Sequence, residues 1–323
     1  MHALYRRALP QLRGGLYLAD GGIETSLIFN DGIELPHFAA VDLLRRPGGE
    51  AALERYFAAY VRIAARFDAG LVLESATWRA SADWGGRLGT PRRALSEANR
   101  RAVALLERLR AAHPGMSLVI SGCVGPRGDG YEPARLMSAD EACDYHQEQV
   151  DTFAGTAADM VSAITMNYAE EAIGVALAAR EAAMPAAISF TVETDGRLPT
   201  GQPLGEAIEA VDAATGGYPS YYMLNCAHPE HFRGALAGPW TARIQGLRAN
   251  ASRKSHAELN ESAELDIGDP VELGEQYAEL RRSLLPSLNV MGGCCGTDYR
   301  HVEKIAAACA PLLRRAAEPW REA

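Results

Sequence analysis

The chain has 323 residues, enough to bury a large core in one α/β domain or in two small ones. Its 32 Lys and Arg against 41 Asp and Glu leave a net charge of −9, which argues against nucleic acid or an anionic membrane surface as partner. A hydrophobic fraction of 48% with 23% charged residues is that of an ordinary soluble protein, and no apolar run approaches the length of a membrane-spanning helix.

Arg6 and Arg7 are not followed by an apolar run, so no signal peptide is expected and the expected compartment is the cytoplasm. From there, short apolar runs alternate with helical patterns. The predicted strands are Leu16–Ala19, Leu71–Leu73, Leu118–Ile120, Met160–Ile164, Ala187–Phe190, Tyr221–Leu224, Arg243–Leu247 and Leu288–Met291. Between them fall predicted helices over Glu50–Phe67, Pro91–Ala112, Ser138–Ala158, Glu170–Ala183, Gly205–Ala214 and Pro270–Leu285, with His301–Arg315 after the last strand. The segment after the sixth strand is short and Pro-rich, and gives a weaker helix around Pro229–Ala237. Ser138 with Glu141 fits a capping box, and Asp269 before Pro270 fits a cap followed by a first-turn proline. Eight βα units without a break in composition predict a single (β/α)8 barrel domain spanning residues 1–323. The competing architecture, a doubly wound open sheet, lacks the Gly-x-Gly-x-x-Gly segment it usually carries after its first strand.

In a barrel the chemistry gathers where strands end. The polar and glycine-rich segments fall there: Asp20-Gly21-Gly22, Glu74-Ser75, Gly122-Cys123, Thr191 to Gly196, Asn225-Cys226 and Gly292 to Gly296. Six cysteines in a chain this long do not make a disulfide scaffold, and clustered ones point to metal or catalysis. Cys294 and Cys295 follow an apolar strand and stand among Gly292, Gly293 and Gly296. Adjacent side chains on a strand point to opposite faces, so both thiols converge only where the backbone bends, which glycine permits. Cys226 ends the sixth strand, within reach across the rim. Three thiolates would leave a tetrahedral zinc one open position, as catalytic sites do. Taken singly, Cys226 reads as a small buried apolar residue, the vicinal pair can also be a redox couple, and Cys123 is a further rim thiol; Cys143 and Cys309 lie in helical patterns.

The segment Gly292-Gly293-Cys294-Cys295-Gly296-Thr297-Asp298, with Asn225-Cys226 upstream and Asp20-Gly21-Gly22 near the start, resembles the homocysteine S-methyltransferase family over about Leu18 to Ala308. The resemblance implies a (β/α)8 barrel and a Zn2+ cofactor held by Cys226, Cys294 and Cys295. It also implies methyl transfer to a metal-bound thiolate, no other catalytic side chain being required. The acceptor it implies is homocysteine, giving methionine. A chain of this size has no room for folate or cobalamin domains, so the donor implied is a small onium compound such as S-methylmethionine or betaine. Substrate contacts carried over are Asp20, Gly21 and Gly22 for the amino-acid end of the thiol, with Asn225 and Asn250 at matching positions. One position departs: the family's glutamate at the end of the fourth strand is Ile164 here. Glu24 or Glu193 would then meet the ammonium, or the acceptor is another thiol or selenol. A non-catalytic zinc or redox-sensing protein, with Cys294 and Cys295 joined, is the alternative of a different class.

Overall fold

Eight parallel strands close into a barrel in the order β1 to β8, as seen in a computed structural model that describes residues 3–133, 135–262 and 264–313. They are β1 (Tyr17–Leu18), β2 (Gly70–Glu74), β3 (Leu118–Val124), β4 (Met160–Met166), β5 (Ala186–Phe190), β6 (Tyr221–Asn225), β7 (Ile244–Ala249) and β8 (Val290–Gly293). Closure is made by β1 against β8, with Tyr17 beside Val290 and Leu18 beside Met291, which removes the open-sheet alternative.

The outer layer is α1 (Gly49–Arg66), α2 (Arg92–Ala111), α3 (Ala139–Ala154), α4 (Ala169–Glu181), α5 (Leu204–Thr215), α6 (Pro229–Phe232), α7 (Pro270–Ser283) and α8 (Tyr299–Cys309). Both expected caps form: Ser138 and Glu141 exchange bonds at the start of α3, and the Asp269 carboxylate accepts from the Val271 and Glu272 amides at α7. The Pro-rich helix expected over Pro229–Ala237 stops at Phe232 and continues as a 3-10 turn, and the end of the helix expected to Arg315 lies partly outside the described residues. Among the described residues no helix is long and apolar enough to cross a membrane.

Several strands run further than their apolar runs. Gly122 and Cys123 belong to β3, Arg248 to β7, and Gly292 and Gly293 to β8. Barrel strands are hydrogen-bonded on both edges, so the backbone ladder carries residues that side-chain patterning assigns to a loop. The β4 ladder slips between Ala163 and Met166, and Thr165 within the slip has φ +67°. Such a bulge in a β-branched residue re-aims the side chains on either side of it.

The strands are buried on both faces. One apolar layer lies between sheet and helices, and a second, including Val72, Val119, Met160, Tyr221 and Val290, fills the barrel itself. The amino end is plugged by the segment before β1. There Asp159 accepts from the Leu4, Tyr5 and Ile120 amides at 2.8, 2.8 and 2.9 Å and from Arg110 at 2.7 Å.

Candidate active site

The carboxyl end is open. A cavity of about 440 Å³ lies there, lined by the β1–α1 segment, the ends of β2 and β4, and the loops after β6, β7 and β8.

At its head the three expected cysteines meet: one ligand atom from each of Cys226, Cys294 and Cys295 lies within 4.8 Å of the others. Cys226 follows β6 with φ +54°, a left-handed conformation that a non-glycine residue holds only when its neighbours fix it. They do: its carbonyl accepts from Asn250 Nδ2 at 3.0 Å and from His256 Nε2, and its amide donates to the Arg248 carbonyl at 3.1 Å. Cys294 is tied by its amide to Ala249, at 2.8 Å, and by its carbonyl to the Thr297 hydroxyl, at 2.7 Å. The glycines have different tasks from the expected one. Only Gly296 has a positive φ, +77°, and turns the chain after the cysteine pair. Gly292 stays in the strand, where a Cβ would sit 2.6 Å from the Asp20 carbonyl; it is there for close approach, not for bending.

Cys294 is joined to Cys226, with Cα atoms 5.3 Å apart, and Cys295 is free. This corrects the expected redox alternative: the bonded pair spans two strand ends and is not the vicinal one. Burial pushes the Cys295 thiol up to about 11, and the Tyr131 hydroxyl lies 3.8 Å from its sulfur. Cys123 is buried in the barrel interior beside the cavity and is not part of the sulfur cluster; Cys143 and Cys309 sit in α3 and α8.

The floor is charged. Asp20 accepts from the Tyr56 hydroxyl at 2.9 Å through one oxygen and pairs with Arg248 at 2.6 Å through the other. Arg248 also donates to the Gly293 and Gly21 carbonyls. Although it is buried, the Asp20 and Glu74 carboxylates hold its guanidinium above the ordinary range. Burial pushes the carboxyls of Glu24 and Glu74 up to about 7 each. Glu74 ends β2, is 6% exposed, and has one buried oxygen without a hydrogen-bond partner.

Of the expected substrate contacts, Asp20, Gly21, Gly22 and Glu24 line the cavity. Asn225, Asn250 and Glu193 do not. The Asn225 amide is taken up by the Thr165 amide and hydroxyl and by Ser189, so it braces β4, β5 and β6. Asn250 holds the Cys226 carbonyl, and Glu193 bonds His256 Nδ1 at 3.2 Å. These three side chains brace the sulfur cluster's surroundings. Ile164 lines the cavity beside Trp78, whose indole donates to the Ile164 carbonyl at 3.0 Å. Trp84 is covered by the Arg79 and Arg87 guanidinia at 4.0 and 4.3 Å from its ring. In the loop after β7, Arg253 pairs with Glu230 and Glu272 at the surface, whereas Arg248, within β7, turns toward the cavity.

The family model for homocysteine S-methyltransferase matches residues 17–309. No curated protein sequence matches the chain. Among solved structures, the homocysteine methyltransferase MmuM from Escherichia coli is similar in three forms. The oxidized form has 19% identity and a TM-score of 0.72 over 94% of this chain and 99% of that one. The metallated form has 19% identity and a TM-score of 0.70 over 93% and 98%. The apo form has 20% identity and a TM-score of 0.64 over 94% and 100%. At such identity the likeness speaks for the fold.

Proposed function

Because the chain belongs to the homocysteine S-methyltransferase family and is an S-methyltransferase, we propose that it carries a methyl group from a small onium donor to homocysteine, giving methionine, with zinc held by Cys226, Cys294 and Cys295. The observation that carries this reading is the convergence of three sulfurs from two separate strand ends at the head of a cavity. Three soft donors within one another's reach suit zinc better than magnesium or calcium, and they leave a fourth position for a substrate. When bound, zinc would stabilise the acceptor's sulfur as its thiolate, the nucleophilic form.

The chain's own residues do the remainder. Asn250, His256 and the Arg248 carbonyl keep Cys226 turned toward its partners, and Thr297 keeps Cys294 in place. The cavity walls hold acceptor and donor together, so that the reaction draws on orientation more than on acid–base chemistry. A cationic donor is favoured by the acidic and aromatic lining, including Glu24, Tyr131 and Trp78. The disulfide and the metal use the same sulfurs, so the metal-holding form is the reduced one, in keeping with a cytoplasmic enzyme built as one barrel domain.

A screen of S-methylmethionine, betaine and related onium donors against thiol acceptors tests the reading, with the thioether product read by mass spectrometry. Methylated homocysteine from reduced, zinc-loaded protein is the expected result. No thioether from any donor and acceptor pair would overturn it. Ile164 favours a second reading, a thiol or selenol without an ammonium, since an ammonium held against isoleucine loses water without gaining a partner. The screen separates the two when it includes such acceptors.

A further inference from the structure

The cavity lining holds two buried carboxylates, Asp20 and Glu74, whose charges both act on the Arg248 guanidinium. Arg248 contacts Asp20 at 2.6 Å, and the other Asp20 oxygen is taken by Tyr56. Asp20, although its Oδ1 has no aligned hydrogen-bond donor among the described residues, is thus ion-paired before any substrate arrives. Glu74 is not. The hydroxyls of Ser162 and Ser121 stabilise its charge, while one carboxylate oxygen, fully buried, has no hydrogen-bond partner among the described residues. A buried carboxylate oxygen left unpaired is costly, and the Glu74 side chain lines the cavity, so a cationic ligand bound beside it would supply the partner that the chain does not.

We propose that Glu74, and not Asp20, receives the acceptor's ammonium, so that Glu74 sets the enzyme's preference for thiols bearing an amino group. This rests on the thiol-methyltransferase reading above. Arg248 acts here as the counter-ion that keeps Asp20 from competing, and Ile164 closes the neighbouring wall with apolar surface. Glu24 has a different setting, on the helical turn Ile23–Thr25 with Arg79 as its cationic neighbour.

Direct binding by calorimetry to reduced, zinc-loaded protein tests the proposal without any methyl transfer. The ligands are homocysteine and its des-amino analogue 4-mercaptobutanoate. Wild-type protein is expected to bind homocysteine at least about tenfold more tightly than the analogue, because a charge-assisted bond in a desolvated site is lost with the amino group. Equal affinities would overturn the proposal, and this arm needs no variant. In Glu74→Gln the homocysteine affinity should fall by about 30- to 100-fold while that for the analogue changes by less than about threefold. Equal losses for both ligands, or none for either, would also overturn it. The double variant Glu74→Gln with Ile164→Glu, which moves the carboxylate to the neighbouring wall, should recover part of the preference. Should homocysteine bind as expected while no donor yields methionine, the proposed function fails and the Glu74 assignment stands.

Discussion

The two ends of the barrel each bury a carboxylate beside an arginine, and they treat it in opposite ways. At the amino end, both Asp159 oxygens are saturated by three backbone amides and Arg110. At the carboxyl end, Arg248 pairs with Asp20 and only acts on Glu74 through its charge, and one oxygen of each carboxylate has no hydrogen-bond partner among the described residues. The first arrangement is complete in the chain itself and ties the N-terminal segment to the sheet. The second is complete only with a ligand. Barrels separate stability from chemistry along their axis in this manner, and here the separation can be read from which buried groups have their bonds filled.

Removing a partner at each end separates these roles. Arg110→Met should cost about 3–5 kcal/mol in chemical denaturation, because it strands a charge in a site that is 0% exposed on the Asp159 side. Homocysteine affinity of the folded fraction should not change. A loss under 1 kcal/mol would mean that the amino end is not the closed unit described.

A smaller effect is expected at the open end, with a pH dependence of its own. The Glu74 carboxyl is raised in the fold from 4.5 to about 7. Its contribution to stability is therefore fully present below the unfolded value and is lost as pH rises through about 7. Gln carries no such charge. Relative to wild type, Glu74→Gln should thus gain about 1–3 kcal/mol between pH 5 and pH 8, read as a shift in denaturation midpoint. A pH-independent difference would show that Glu74 is already paired. Glu24, raised in the same way, is present in both proteins and cancels from the comparison.

Much of the fold was legible because every strand is a short apolar run and every major helix has its own period or cap. All eight strands are where the runs fall, and closure follows from their number. What patterning missed was the last residues of several strands, where Cys123, Arg248 and Gly293 are held by the ladder and not by apolar side chains. The sulfur cluster was legible for the same reason as the fold: three cysteines stand at strand ends, among glycines. The polar floor was not. Asp20 and Arg248 are far apart in sequence, and only closure of β1 against β8, with β7 beside it, brings them to 2.6 Å. Glu193 reads as a rim carboxylate until the loop after β7 delivers His256 to it. Glu74 looks like a solvated strand end. Its signal was the strand type, since a carboxylate closing an apolar run on a parallel strand has both faces buried and must find a partner or await one.

Zinc stoichiometry in reduced protein tests the central claim most directly, by metal analysis of wild type beside Cys226→Ala, Cys294→Ala, Cys295→Ala and Cys143→Ala. The account predicts about one zinc per chain for wild type and for Cys143→Ala, and almost none, with no methyl transfer, for the other three. Full zinc retention in Cys294→Ala, with the chain folded, would contradict it.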